Sequence, residues 1–269
     1  MRKIILGLIL FSQISFSQKA SNANLNVEYD EYRIFTQGFI NLDLGTLFVS
    51  NQISYYNSVV QKKLTTDLVP NERAIMFTKG TGDKEILPEI IIDREKNLLT
   101  ERLFEDSHLN SYFAVQEPLP KMNWKLLNEK KTIGKYNCTK AVVEFRGRTY
   151  TAWYTIEIPI SLGPWKFNGL PGLILEVDDE KGVYKWQAKT ISFNNNLSEK
   201  EILVKIQNDP KFEAISFKDY DAKKIKKVQD KIQTIKARSG GRGAQFGMMT
   251  TFEFDKEPIN EYRSEMEFN

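Results

Sequence analysis

KAVVEFRGRTYTAWYT, residues 140–155, alternates on both sides of a two-residue turn. Ala141, Val143 and Phe145 fall on one face of the first run, with Val142 and Glu144 on the other. The return run sets Tyr150, Ala152 and Tyr154 against Thr151, Trp153 and Thr155. A side-chain period of two marks a strand with one buried face, and Gly147 supplies the positive φ that a tight hairpin needs. The stretch predicts an antiparallel hairpin. GLILEV (172–177), DDEKG (178–182) and VYKWQAKTI (183–191) predict a second one. On its return run Tyr184, Trp186 and Ala188 face one way, and Lys185, Gln187 and Lys189 the other. Such a sheet has one wet face and one buried face.

Upstream, short β-rich runs recur between turn residues: TLFVS (46–50), AIMFT (74–78), EIIID (89–93), NLLTERLF (97–104) and SYFAV (111–115). Helical periodicity is concentrated near the end. In SFKDYDAKKIKKVQDKIQTIKARS (216–239), Phe217, Tyr220, Ile225, Val228, Ile232 and Ile235 recur mostly at spacings of three and four. Lysines cover the other face, among them Lys218, Lys223, Lys224, Lys226, Lys227, Lys231 and Lys236, interleaved with Asp219, Asp221 and Asp230. That mixture reads as the solvated face of a helix spanning about 216–238. SGGRGAQFG (239–247) breaks the helix, and MMTTFEFD (248–255) is a candidate last strand. The fold class expected is α+β: a mainly antiparallel, curved, half-barrel-like sheet with a C-terminal amphipathic helix.

The N-terminus addresses the compartment. Arg2 and Lys3 precede the apolar run IILGLILF (4–11), and Ser15 and Ser17 stand at the −3 and −1 positions of a signal-peptidase site. Residues 1–17 are read as a signal peptide, with Gln18 first in a single mature domain, 18–269. The apolar run is shorter than the roughly 20 residues a membrane span requires, and no transmembrane span is expected. The chain is expected to be exported, to the periplasm, the outer-membrane surface or the medium. Removal of Arg2 and Lys3 lowers the formal charge from +3 to +1, which gives no argument for a nucleic-acid partner. Cys138 is the lone cysteine, so no intramolecular disulfide forms. In its strand-like setting a small buried residue is a simpler reading than a reactive thiol.

The inventory for catalysis is thin. The chain has one histidine, His108 in EDSHLN, so no multi-histidine metal site can be built and any histidine-dependent triad must use it. GxSxG, HExxH and P-loop motifs are missing. Asp93 with Glu95, Glu105 with Asp106, and Asp178–Asp179–Glu180 are the carboxylate sets, each beside a polar turn. A calcium site at 178–180 lacks a second run of oxygen ligands. No catalytic residue, metal or cofactor is assigned. The aromatics Trp153, Tyr154, Trp165, Phe167, Tyr184 and Trp186 cluster in sequence, and either fill the core or line an apolar cavity. Trp153, Tyr154, Trp165, Phe167 and Trp186 are the candidate ligand-binding set.

GPWKFNGLPGLILEV (163–177) joins the two hairpins. Leu170-Pro171-Gly172-Leu173 reads as a type II turn, with Pro171 fixing φ and Gly172 accepting positive φ. Trp165 and Phe167 are placed to fold back as apolar anchors, and Lys166 is the only charge before Glu176. No helix follows to donate amides to a phosphate. The hexapeptide Gly169, Leu170, Pro171, Gly172, Leu173, Ile174 resembles the name-giving motif of the GLPGLI family, exported proteins of Bacteroidota-type bacteria. The resemblance covers about residues 132–191, the motif core. The family has no established activity, so it implies a compartment and no residue roles. In architecture the predicted chain is similar to half-barrel lipoprotein carriers of the envelope. The function expected is a non-enzymatic envelope module with an aromatic-lined sheet face that binds a lipophilic ligand or an envelope protein. The alternatives are a carboxylate- or histidine-dependent hydrolase and an accessory subunit of an outer-membrane complex.

Overall fold

The computed structural model describes residues 24–34, 39–65, 89–106, 111–193 and 212–239. Ser17 and Gln18, His108, the run 74–78 and the segments after residue 239 lie outside the described residues. In chain order the elements are β1 (Leu25–Ile34), β2 (Phe39–Val49), β3 (Ile53–Thr65), β4 (Glu89–Asp93), β5 (Leu98–Asp106) and β6 (Ser111–Pro118). They continue with β7 (Lys125–Ile133), β8 (Tyr136–Phe145), β9 (Arg148–Thr155), β10 (Leu173–Asp179), β11 (Tyr184–Phe193), β12 (Phe212–Ser216) and the helix α1 (Phe217–Ser239). All the described strands join one open sheet in the order β12-β6-β5-β4-β3-β2-β1-β11-β10-β9-β8-β7. Every pairing is antiparallel except β12 with β6. The expected fold class is the observed one: a large, mostly antiparallel, unclosed sheet with one C-terminal helix.

The hairpin read first from the sequence forms as a tight turn. Phe145 pairs with Arg148, and Arg146 (φ 50°) and Gly147 (φ 75°) both take positive φ. That double-positive geometry matches the right-handed twist of the strands it joins. Ala141, Val143 and Phe145 are buried while Val142 and Glu144 turn outward; Tyr150, Ala152 and Tyr154 are buried opposite them. In the second hairpin Asp179 organises the turn. Its carboxylate accepts the Val183 and Tyr184 amides at 2.6 and 3.3 Å, and Gly182 sits at φ 66°.

β1 joins the two halves of the sheet, pairing with β2 on one side and β11 on the other. Leu25, Val27 and Tyr29 of its inner face are fully buried, and the Tyr29 hydroxyl donates to the Ile174 carbonyl at 2.8 Å. The main core runs from Ile90 and Leu99 on one half to Val143, Tyr150 and Trp186 on the other, so the sheet curls around it. α1 starts directly after β12. The Ser216 hydroxyl accepts the Asp219 amide at 3.1 Å and donates to its carboxylate at 2.6 Å, a reciprocal cap. Tyr220 packs edge-on against Phe113 of β6, and Lys223 lies over the same ring. Among the described residues no helix is long and apolar enough to cross a membrane.

Candidate functional site

Residues 156–172, between β9 and β10, fold back as a strap over the inner face of the sheet. Backbone bonds fasten both ends: Leu173 N–H to Ile158 at 3.0 Å, Ile174 N–H to Leu162 at 3.0 Å, and Gly169 N–H to Ser161 at 3.1 Å. The Trp124 indole N–H donates to the Asn168 carbonyl at 2.8 Å, and the Asn168 amide donates to Lys166 and Pro120 carbonyls. The strap is thus tied to the segment between β6 and β7 as well as to its own strands.

The sequence places positive φ at Gly172 in a type II turn; the chain puts it elsewhere. Trp165 (φ 52°) and Gly169 (φ 88°) take the left-handed region, and Leu173 gives its amide to Ile158 instead of closing a turn onto Leu170. Gly172 is required for space. A Cβ there would stand 2.0 Å from the Thr155 carbonyl oxygen, and one at Gly163 would stand 2.8 Å from the Ile174 Cβ. The strap lies so close to β9 and β10 that only hydrogen fits at these two points.

The anchors fold inward as the sequence expects. Trp165 stacks on Trp186 at 6.2 Å, and Phe167 meets Tyr150 at 4.9 Å and Trp186 at 5.5 Å edge-on. Trp165, Phe167 and Trp186 of the candidate ligand set therefore come together, and each is buried. Tyr154 is buried on the same inner face, whereas Trp153 points to the outer face and is half-buried. There it lies beneath the Lys131 ammonium at 4.4 Å and near that of Lys140 at 6.0 Å. Burial of such rings contributes about 1.5–3 kcal/mol each, with edge-on pairing adding to it.

Between the two anchors sits a residue whose role has no local signal. Lys166 has no exposed surface at all. Its ammonium meets the Glu101 carboxylate of β5 at 2.6 Å and the Glu117 carboxylate of β6 at 3.5 Å. Glu117 also binds the Arg146 guanidinium from the β8–β9 turn. Arg146 stacks on the Phe217 ring at 3.6 Å, where α1 begins. The order Arg146–Glu117–Lys166–Glu101 alternates in sign, so the three buried charges are balanced with the help of a partly exposed guanidinium, the condition under which such burial is tolerated. The quartet connects β5, β6 and α1 with the strap and the β8–β9 turn. These elements are far apart in strand order and close only because the sheet curls.

A second polar row lies on the same inner face. Glu31 accepts hydrogen bonds from Tyr56 at 2.9 Å and Ser58 at 2.7 Å, while Arg33 pairs with Asp43 at 2.8 Å and Arg148 with Asp179 at 2.6 Å. Burial raises the Tyr56 hydroxyl well above its ordinary range and keeps it a donor to Glu31. The sequence-flagged carboxylates are turn and ladder residues. Asp93 is held below the usual carboxylate range by the Lys96 amide and ammonium, and Asp178 is raised by burial against the opposing pull of Lys185. Asp179 serves its hairpin, and the side chains of Glu105 and Asp106 lie outside the described ones. No cluster of His, Cys, Asp and Glu suited to a metal is found among the described residues.

Cys138 is buried, and burial pushes its thiol up to about 11. At pH 8 its thiolate fraction is on the order of one part in a thousand. Iodoacetamide at that pH will leave the folded chain unlabelled over hours and label it fully in urea, as read by intact mass. Rapid labelling without denaturant would contradict the burial.

A family model described as "Protein of unknown function (Porph_ging)" matches residues 143–176, from the end of β8 through the strap into β10. The hexapeptide 169–174 lies inside that match, so the family expected from it is met in part: an uncharacterised family over the motif region, under a different description. No curated protein matches. Among solved structures, one described as PNGF-II in a C2 crystal is 17% identical with a TM-score of 0.50, covering 75% of this chain and 32% of that one. PNGF-II in a P21 crystal gives 15%, 0.48, 75% and 33%. An outer membrane lipoprotein-sorting protein domain from Vibrio parahaemolyticus gives 5%, 0.32, 70% and 92%. The chain spans about a third of the PNGF-II chain it matches, and that likeness is one of fold. What the comparisons establish is an open-sheet fold that also occurs as part of a longer chain, bearing over residues 143–176 the signature of a family of unknown function.

Proposed function

We propose that this chain is a non-enzymatic, partner-binding module of the bacterial cell envelope. The observation that carries this reading is the filled concave face. The strap sets Trp165, Lys166 and Phe167 where an open half-barrel would hold an apolar ligand. The aromatic candidates there are engaged with one another and with Tyr150, which supports a rigid scaffold over a lipophilic carrier. Tyr56 and Cys138 have proton affinities raised by burial, the reverse of what an activated nucleophile requires. Occurrence of the fold within a longer chain is consistent with a module that serves another component. The envelope location rests on the signal-peptide reading of residues 1–17.

Native mass spectrometry of the protein purified from its own envelope tests this. The expected result is a stoichiometric protein partner with no bound lipid, and a Trp165→Ala variant with a lower Tm that still holds the partner. Stoichiometric lipid that disappears in Trp165→Ala would replace this reading with a ligand carrier. Recovery of neither partner nor lipid would remove the binding reading.

A further inference from the structure

The two ends of the sheet are unlike each other. At one end β12 has five residues and runs straight into α1. At the other, β7 has nine residues, most of them exposed, and pairs only with β8 among the described strands. A strand of that length presents about 30 Å of edge, with backbone donors and acceptors on its outer side. Its register with β8 is irregular between Leu126 and Lys130 and regular again over residues 130–133.

The charge around this edge is concentrated. Residues 121–140 contain Lys121, Lys125, Lys130, Lys131, Lys135 and Lys140 against Glu129 alone, a formal +5, whereas the whole chain carries +3. The remainder of the protein is therefore net negative. Lys140 pairs with Glu129 at 2.8 Å and Lys131 with Glu176 of β10, so the positive charge left at this edge is that of Lys121, Lys125, Lys130 and Lys135. Lysines on an edge oppose pairing with a second copy of the same strand, because like charges then face each other across the ladder. The same lysines favour an incoming strand that carries carboxylates, so one feature excludes the wrong partner and selects the right one. Lys125 and Lys131 share the outer face with Lys140 and Trp153, while Lys130 and Leu126, the latter 54% exposed, lie on the other side.

We propose that β7 is a docking edge for an extended acidic segment of a partner protein, added as a further strand along residues 130–133. The partner segment places a carboxylate over Lys130, with Lys125 and Lys135 flanking that stretch, and apolar side chains on the face of Ile133. This rests on the partner-binding reading above and gives that partner a chemistry.

The probe is a nine-residue peptide of alternating valine and glutamate, labelled for fluorescence anisotropy and titrated into the full chain. Binding is expected, weakening with salt and falling at least tenfold in the Lys125→Glu, Lys130→Glu double variant. Both lysines are exposed, so the fold should be kept, as circular dichroism will verify. A peptide with the same charges but alternate N-methylated amides is expected not to bind, since it cannot pair with an edge. Equal binding of the N-methylated peptide, of a valine–lysine peptide, or by the double variant overturns the proposal. So does saturable binding to phosphatidylglycerol vesicles with none to the peptide. A protein partner retained in native mass spectrometry, with no binding of the acidic peptide, discards β7 as the edge and leaves the binding-module reading standing.

Discussion

Lys166→Ala will lower the stability of the folded chain by about 3–5 kcal/mol, because it leaves Glu101 and Glu117 buried without the ammonium that lies between them. The loss is a property of the buried carboxylates more than of the lysine. Lys166→Met combined with Glu101→Gln should therefore recover most of it: the replacement side chain fills the space, and Glu117 retains Arg146. Urea unfolding followed by tryptophan fluorescence measures both, since Trp165 is next in sequence and reports on the strap. A single variant within about 1 kcal/mol of the parent would place Lys166 among ordinary surface pairs. An uncompensated double variant would show that the quartet acts through more than charge balance.

Gly172→Ala is expected to be comparably damaging, by about 3 kcal/mol or more, from overpacking against backbone that cannot move aside. Its control is Gly134→Ala, in the β7–β8 turn. That glycine has φ 58° and nothing within 4 Å of a would-be Cβ, so only the left-handed backbone is penalised, at about 1 kcal/mol. Thermal unfolding of the two variants side by side separates the causes. If Gly172→Ala costs no more than Gly134→Ala, the close approach of strap to β9 is not what the glycine serves.

What the sequence revealed and concealed follows from locality. The β8–β9 and β10–β11 hairpins were legible because inner-face residues such as Val143, Tyr150 and Trp186 are apolar and alternate strictly, and Gly147 marks a turn. Helix α1 was legible from the spacing of its apolar residues. β1 was not, because its inner face passes from Leu25, Val27 and Tyr29 to Glu31 and Arg33, whose burial depends on partners in β2 and β3. β7 was hidden by its lysines, which are compatible with a strand only at an edge. Lys166 reads as a solvated charge in any local window. Its acidic partners lie on β5 and β6, dozens of residues away, and nothing in GPWKFNGLPGLI signals them. Trp153 and Tyr154 are adjacent in sequence but serve opposite faces, so nearness along the chain grouped residues that the pleat separates.

The position of β1 has a kinetic meaning. β1 to β6 form one antiparallel meander and β7 to β11 another, with β11 the partner that β1 must find. The joint between them pairs Leu25 with Phe193 and Arg33 with Tyr184, so the first described strand cannot complete its ladder until nearly the last one has been made. Each meander can assemble from neighbours in sequence, but the seam is a long-range event of the kind that slows folding. Until it closes, β1 and β11 are both open edges in the middle of the future sheet, with Val27 and Trp186 facing water. A chain of this topology gains from a holding factor during synthesis or transport, and its period of greatest risk for aggregation ends when that one seam zips shut.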